Sequence, residues 1–264
     1  MGSFPPVQSV TRAIDLLQAL NREPVSTISS LHVQTGIPKP SIVRLLQTFA
    51  VKGLVRRAPK HGAYHLTSQV RSLASGYHSE PKIVEAAAPL LDAMTRRIKW
   101  PMAIAIPNGH AVFIRYSTVS LSPLSLHHSS LNMRLSLVSR ALGLAVLAFC
   151  DDDEQNFILK ALRASAEPED ALARNTAAVR AALSKVRARG YATRDPKVRP
   201  VSNTLAVPIF DGARVVASVG LTFFSSALEP KQAVHDHLGQ LKDVAGEIST
   251  RLASLQEGAI TKAL

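Results

Sequence analysis

The most chemically informative stretch of the chain is a set of side chains spaced at helical intervals between residues 39 and 49. At 100° per residue, Ile42, Leu45, Leu46 and Phe49 fall on one side of the helix that this spacing predicts. The opposite side and its margins carry Lys39, Pro40, Ser41, Arg44, Gln47 and Thr48. A guanidinium, an amide and hydroxyls on one helix face suit the phosphates and base edges of a DNA major groove. We therefore predict that this face binds double-stranded DNA.

A second basic cluster follows shortly after this helix. Two short runs, residues 54–57 and 63–66, flank a link that contains Pro59 and Gly62, which predicts a hairpin. The cluster consists of Arg56, Arg57, Lys60 and His61. These side chains would lie near phosphates or the minor groove. A solvated hairpin without DNA contacts is the alternative.

The surrounding elements would position both clusters. Apolar spacing predicts a first helix over residues 7–21 and a second over 28–35, with Ser26 as its cap. Gly36 makes a turn, and Pro38 and Pro40 fit in the first turn of the third helix. Three helices and a hairpin predict a winged helix-turn-helix domain over residues 1–67. A linker helix over 68–80, a second domain over 81–255 and a tail over 256–264 follow.

Lys and Arg are concentrated in the first third of the chain. Residues 1–80 hold nine Lys or Arg and three Asp or Glu, a formal charge of +6. The other 184 residues hold 22 Lys or Arg and 16 Asp or Glu, which is again a formal charge of +6. The first domain is thus about twice as cationic per residue, as expected of a surface that meets the phosphate backbone. A merely soluble basic surface would have the same charge.

The second domain combines hairpins with helices. Asn108-Gly109 and Asp211-Gly212 each separate two apolar runs, which predicts two hairpins. Helices are predicted over residues 140–149, 152–164, 171–189 and 231–255. This order predicts an α+β domain in which helices pack on an antiparallel sheet.

Four polar side chains interrupt or follow the apolar segments of this domain: Arg140, Arg194, Thr204 and Thr222. A buried arginine needs an anionic partner, so a small organic acid is a natural ligand. The alternative is that each arginine is exposed or is paired with a carboxylate of the protein.

Other chemistry finds little support. The chain has no P-loop, Gly-x-Gly-x-x-Gly, His-Glu-x-x-His or Gly-x-Ser-x-Gly motif, so we predict no enzyme and no cofactor. His127-His128 and His235-x-His237 are poorly spaced for a metal, and residues 151–154 more simply cap a helix. The single cysteine, Cys150, is expected to be buried and excludes an internal disulfide. Without a signal peptide or a membrane-spanning run, we expect a cytoplasmic protein without membrane contact.

The chain resembles the IclR family of bacterial transcriptional regulators over essentially its whole length. The resemblance rests on residues 7–17 (VQSVTRAIDLL), 36–46 (GIPKPSIVRLL), 187–191 (RARGY) and 206–210 (AVPIF). Within the family, residues 99–101, 124–127 and 134–150 are most similar to activators of 3-hydroxyphenylpropionate catabolic operons. The resemblance implies a winged helix-turn-helix, a linker helix and a GAF-like effector domain. It also implies a dimer through the DNA-binding domains, or a dimer of dimers.

Matched position by position, the resemblance also implies where the effector is held. The corresponding residues are Arg140, Ala141, Leu142, Arg194, Thr204, Gly220 and Thr222, with His127 and Trp100 as further pocket candidates. Family members that respond to glyoxylate or pyruvate have small or hydroxyl residues near Arg140 and an Asp near Arg194. Two arginines at these positions favour a larger, aromatic carboxylate.

The sequence thus predicts a ligand-responsive regulator of an aromatic-acid catabolic operon, bound to a pseudo-palindromic operator and able to contact RNA polymerase. A repressor that responds to a short-chain keto acid is the alternative within the family. Outside it, a small-acid enzyme with an accessory first domain and a sensor module that has lost DNA binding are the alternatives.

Overall fold

The computed structural model describes residues 5–23, 25–58, 62–76, 81–125, 130–194, 198 and 200–261. The chain divides into two compact units, with the division between Ser79 and Glu80. His127, Lys60, His61 and Tyr77 lie outside the described residues.

The first unit contains three helices and a two-stranded sheet. The elements are α1 Gln8–Arg22, α2 Ile28–Thr35, α3 Lys39–Val51, β1 Val55–Arg57 and β2 Tyr64–Leu66. The strands β1 and β2 pair antiparallel. The buried core includes Leu16 of α1, Leu31 of α2, and Ile42, Leu46 and Phe49 of α3. The predicted core side of α3 is therefore the side that packs, although Leu45 is only half-buried.

The cap of α2 differs from the prediction. Thr27 caps the helix, because its Oγ1 accepts from the Ser30 N–H and the Ser30 Oγ accepts from the Thr27 N–H. Ser26, the predicted cap, is buried and exchanges backbone hydrogen bonds with Tyr64. Gly36 ends α2 with φ of 68°, the left-handed conformation that glycine adopts at no steric cost.

The predicted linker helix is a 3-10 helix that covers Ser68–Ala74. Two serine hydroxyls bond to the carbonyl three residues earlier: Ser72 Oγ donates to the Gln69 carbonyl and Ser75 Oγ donates to the Ser72 carbonyl. None of its residues is buried, so no packing favours a longer α-helix.

The second unit is an α+β domain built on one antiparallel sheet. Its strands are β3 Met102–Asn108, β4 Ala111–Ser117, β5 Arg134–Ser136, β6 Ala192–Thr193, β7 Ser202–Asp211 and β8 Arg214–Phe224. Its α-helices are α4 Lys82–Ile98, α5 Ala141–Leu147, α6 Asp152–Arg163, α7 Thr176–Arg189 and α8 Pro230–Thr261. The strand order is β5-β4-β3-β8-β7-β6. Short 3-10 helices cover Val119–Leu121 and Pro168–Arg174.

Helices cover both faces of this sheet, so there are two core clusters. One cluster joins the sheet to α4 and α8 and contains Leu205, Val207 and Leu221. The other joins the sheet to α5, α6 and α7 and contains Ala105 and Ala206. Alternation along β7 thus places large side chains toward α4 and α8 and small ones toward α5. Small residues allow α5 to lie close to the sheet.

Both predicted hairpins form, with turns shifted by one residue. Asn108 pairs with Ala111, and Asp211 pairs with Arg214, so Gly109-His110 and Gly212-Ala213 are the two-residue turns. Gly109 has φ of 60° and Gly212 has φ of 58°. Glycine at the first turn position is typical of a type II′ turn, rather than of the type I′ turn that Asn-Gly predicts.

Three further boundaries differ from the prediction. The helix predicted over 171–189 is split into the 3-10 helix Pro168–Arg174 and α7, because Asn175 Oδ1 accepts from the Ala178 N–H and starts a new helix. The last helix continues to Thr261, beyond the predicted end at 255. Strands β5 and β6 have three and two residues and were not predicted.

Candidate functional site

The polar face of α3 is directed away from the core of the first unit. Arg44, Gln47 and Thr48 are exposed, as are Lys39 and Pro40, and Ser41 is half-buried. Pro40 is the second residue of the helix, where its missing N–H breaks no hydrogen bond. The structure therefore leaves all six predicted DNA-binding residues of α3 on one accessible side.

This face borders a groove that the sequence did not predict. A cavity of about 600 Å³ lies between α1 and α3. Its lining residues are Ser9, Arg12, Ser41, Arg44, Leu45, Gln47, Thr48, Val51 and Lys52. Three of them are cationic and none is acidic, which suits an anionic partner. Periodicity within one helix cannot show that Arg12 of α1 lies beside α3, so only the packing of the helices brings Arg12 into the site.

The hairpin carries two predicted basic residues. Arg56 and Arg57 lie on β1 and are exposed. Arg56 Nε donates to His65 Nε2 of the paired strand at 3.2 Å, which orients the guanidinium. Lys60 and His61 belong to the part of the hairpin outside the described residues.

In the second unit, a polar cluster lies at one end of β6, β7 and β8. Thr204 and Thr222 are cross-strand partners, and their Oγ1 atoms are 3.0 Å apart. Arg194, at the end of β6, is buried and donates from Nη2 to the Ser202 Oγ at 2.8 Å and to the Ser202 carbonyl. The Arg194 N–H donates to Asn203 Oδ1 at 3.1 Å. The cluster therefore combines one buried cation with several hydroxyls.

The start of α5 packs beside this cluster, against Gly220. A Cβ at Gly220 would lie 2.8 Å from the Leu205 carbonyl oxygen and 3.1 Å from Leu142 Cδ2. Ser218 Oγ donates to the Leu142 carbonyl at 2.8 Å. Ala141 and Leu142 are buried. The structure thus brings together Leu142 and Gly220, two residues along β8 from Thr222.

Arg140 has a different role from the one predicted. Its guanidinium forms a two-point ion pair with Glu169, with Nε 3.0 Å from Oε2 and a second contact from Nη2 to Oε1. Glu169 belongs to the 3-10 helix Pro168–Arg174, which begins before the predicted helix over 171–189. The anionic partner of Arg140 is therefore a carboxylate of the protein itself. The neighbouring Asp170 is likewise paired, with Arg134 at 2.6 Å.

The structure does not bring Trp100 to the polar cluster. Trp100 belongs to the core on the α4 and α8 side and makes edge contacts with Phe223 and Phe224. The proposed pocket role of Trp100 is therefore replaced by packing. His127 lies outside the described residues, so the structure says nothing of its role.

Other candidate chemistry stays structural in the described parts of the chain. Asp151 caps α6, since its Oδ1 accepts from the Glu154 N–H at 2.7 Å. Among the described residues, no group of three His, Cys, Asp or Glu is placed to hold a metal ion. Cys150 is buried, as predicted. Over the same residues, no helix is long and apolar enough to cross a membrane.

Two family models match the chain. The model for the IclR helix-turn-helix domain matches residues 9–59, and the model for the C-terminal domain of the bacterial transcriptional regulator IclR matches residues 75–250. The chain belongs to the IclR family of bacterial transcriptional regulators. Its first unit is thus a DNA-binding domain, and its second is the effector-domain type of this family.

Individual relatives agree with this IclR assignment. The transcriptional regulator KdgR of Escherichia coli is 24% identical over 246 residues, which is 93% of each chain. The IclR structure from Thermotoga maritima covers 93% of this chain and 98% of its own, at 21% identity and a TM-score of 0.64. The structure of an IclR homologue from Microbacterium hydrocarbonoxydans complexed with 4-hydroxybenzoate covers 93% of this chain and 99% of its own, at 19% identity and a TM-score of 0.60. These structures share the fold of this chain.

Proposed function

We propose that this IclR-family protein controls an aromatic-acid catabolic operon, with an aromatic carboxylate as effector and a pseudo-palindromic operator as DNA partner. The observation that carries the proposal is the buried Arg194, whose backbone N–H donates to the Thr204 carbonyl, next to the hydroxyl pair of Thr204 and Thr222. The resemblance to activators of 3-hydroxyphenylpropionate catabolic operons makes activation, through contact with RNA polymerase, the proposed direction of control.

Operator binding would use α3 as the reading helix. Arg44 and Gln47 have side chains long enough to reach base edges, and Lys39, Ser41 and Thr48, on the same helix, would contact phosphates. Arg12 and Lys52, from the groove beside α3, would add phosphate contacts, as would Arg56 and Arg57 on the hairpin.

The effector would lie against the small-residue face of the sheet, at the start of α5. Arg194 supplies the cation for a carboxylate, and Thr204, Thr222 and Ser202 supply hydroxyls. Gly220 and Leu142 provide the apolar wall. Because Arg140 is paired with Glu169, it is not assigned to the ligand. The homologue that binds 4-hydroxybenzoate supports an aromatic acid as the ligand class.

We also propose a homodimer formed through the first domain. Val7, Val10 and Ile14 make an apolar stripe on α1 and are 65%, 54% and 50% exposed. A second copy of the same stripe would bury it and place two α3 helices on one operator. A dimer of dimers would use further surfaces.

The first experiment is a thermal-shift screen of the full chain against 4-hydroxybenzoate, 3-hydroxyphenylpropionate, glyoxylate and pyruvate. A ligand that binds only the native state raises the unfolding midpoint with concentration. We expect a rise with an aromatic acid that is lost in Arg194→Ala. Thr222→Val, which keeps the side-chain volume, should weaken it. Arg174→Ala, an exposed arginine of the same domain, is the matched control.

The outcomes separate the candidates. A rise with glyoxylate or pyruvate alone would contradict the aromatic effector and favour the keto-acid repressor. An aromatic response that is equal in wild-type, Arg194→Ala and Thr222→Val proteins would contradict the assigned pocket. Consumption of the acid, followed by chromatography in the same samples, would favour an enzyme.

A further inference from the structure

A separate cavity of about 220 Å³ lies at the other end of α5, in the second unit. Its walls are mostly apolar and are formed by Ile106, Leu137, Val146, Ile158, Val215 and Val216. These residues come from β3, β8, α5, α6 and the segment after β5. Its lining residues do not include Thr204, Thr222 or Arg194, the polar cluster proposed above to bind the effector. The cavity is therefore distinct from this cluster, which is called the effector cluster below.

Three polar residues are among those that line this apolar space: Cys150, Glu154 and Arg214. Burial, together with the carboxylates of Glu154 and Asp151 and against the opposing charge of Arg214, raises the pKa of Cys150 to about 12. The thiol is therefore neutral and within electrostatic range of both charges. Among the described residues, no ion pair within 4 Å joins Glu154 to Arg214, and Arg214 makes no side-chain hydrogen bond.

We propose that this cavity is a second ligand site, which binds a single-ring aromatic acid that carries a hydroxyl group. The ring occupies the apolar interior, the carboxylate binds Arg214, and the hydroxyl donates to Glu154. This site goes beyond the proposed effector function and does not depend on it.

The size and chemistry of the cavity support this class of ligand. An apolar cavity of roughly 150 Å³ is enough to bind benzene, so 220 Å³ accommodates one ring with small substituents. Apolar walls with a few polar groups are typical of small-molecule sites. Arg214 is exposed and Glu154 is half-buried, so charge is available at one side of the cavity while Cys150 lies inside. A purely apolar ligand would make no use of either charge.

The position of the cavity gives it a regulatory role. All seven residues of α5 are buried, so the helix has little freedom to move without repacking. Leu142, in its first turn, packs on Gly220 beside the effector cluster, and Val146, in its last turn, lines the cavity. Ligands at the two ends would therefore bias the position of the same helix, which couples their affinities.

The single cysteine gives a direct test. Full-length protein labelled with [β-13C]cysteine has one labelled position, inside the cavity, so it gives one resonance. We expect 4-hydroxybenzoate to displace this resonance saturably, also in Arg194→Ala, where the effector cluster is disabled. In Arg214→Ala, the concentration for half-displacement should rise at least about tenfold, the loss expected for a charge-assisted hydrogen bond. Glu154→Gln should weaken the binding of 4-hydroxybenzoate more than the binding of benzoate, because benzoate has no hydroxyl group.

Arg163→Ala, an exposed arginine on α6 outside the cavity lining, is the matched control and should titrate as wild type. An unmoved resonance at saturating 4-hydroxybenzoate would overturn the second site. A displacement that disappears in Arg194→Ala but persists in Arg214→Ala would also overturn it, because the shift would then come from the effector cluster through α5. The thermal-shift response described above tests that cluster separately.

Discussion

Arg140 and Glu169 are joined by a two-point ion pair at the start of α5, with Arg140 Nε 3.0 Å from Glu169 Oε2. The side chains are 17% and 36% exposed, so the pair is partly shielded from water. Glu169 thus fixes the 3-10 helix Pro168–Arg174 against the residue that precedes α5. An arginine that the sequence assigned to a ligand is instead part of the scaffold beside the proposed pocket.

This pairing predicts a stability effect for Arg140 that is larger than its effect on ligand affinity. Arg140→Ala and Glu169→Gln should each destabilise the protein, with a coupling of about 1–2 kcal/mol in a double-mutant cycle measured by urea unfolding. The value lies below that of a fully buried pair, because water still reaches both groups. If Arg140→Ala lost aromatic-acid binding while Glu169→Gln kept it, Arg140 would be a ligand-binding residue after all.

The close approach of α5 to the sheet makes Gly143 a second sensitive position. A Cβ at Gly143 would lie 2.1 Å from the Ser136 carbonyl oxygen and 2.7 Å from Leu137 Cα, both backbone atoms that cannot rotate away. Gly143→Ala should therefore destabilise the domain by about 3 kcal/mol through overpacking. Gly246→Ala, in α8 with no atom within 4 Å, should be neutral or stabilise by about 0.5–1 kcal/mol. Equal unfolding midpoints of the two variants would refute this packing.

The exposed face of α3 predicts two kinds of DNA defect. Arg44→Ala should weaken specific operator binding by about 1–3 kcal/mol if Arg44 makes a bidentate contact to a base. Arg12→Ala should weaken binding to specific and non-specific DNA alike. It should also reduce the slope of log affinity against log salt concentration by about one, as expected of a phosphate contact. Fluorescence anisotropy at several salt concentrations measures both. Arg251→Ala, in the second domain, serves as the control. If Arg12→Ala changed sequence specificity and Arg44→Ala changed only the salt dependence, the proposed roles of the two arginines would be wrong.

Much of the fold follows from local patterns in the sequence. The core side of α3, the two hairpins and the long last helix are each specified by apolar spacing or turn residues within a few positions. The error at the cap of α2 has a non-local cause. Ser26 and Thr27 are both good caps, and only the backbone pairing of Ser26 with Tyr64 makes Thr27 the cap.

The site was harder to predict, because it depends on contacts between distant segments. Thr204 and Thr222 meet because β7 and β8 pair in a register that depends on the Gly212-Ala213 turn and on a bulge between Ile209 and Phe210. The predicted Asp211-Gly212 turn would pair Thr204 with a different residue of β8. The Arg140 partner, Glu169, is 29 positions away on a short 3-10 helix with no periodic pattern. The position of Trp100 on the other side of the sheet follows from packing with Phe223, and Arg12 joins the DNA face through the crossing of α1 and α3.

A hydrogen bond between Tyr116 of β4 and Asp92 of α4 makes the stability of the second domain depend on alkaline pH. Tyr116 donates its hydroxyl to Asp92 Oδ1 at 2.6 Å, and burial together with Asp92 raises the pKa of Tyr116 from 10.0 to about 12. The folded state then holds the phenolic proton more tightly than the unfolded state. The stability from this bond is full below about pH 10 and is lost as the pH rises toward 12.

We therefore expect the stability difference between wild type and Tyr116→Phe, about 1 kcal/mol near neutral pH, to shrink between pH 10 and 12. Urea unfolding at a series of pH values measures this difference. The pKa of the Cys150 thiol is also raised to about 12, so both proteins should carry Cys150→Ala to remove the contribution of this thiol to the pH dependence. Asp92→Asn should weaken the pH dependence, because it removes the negative charge that adds to the effect of burial on the pKa of Tyr116. A difference that stays constant through this range would show that the hydrogen bond does not hold the proton.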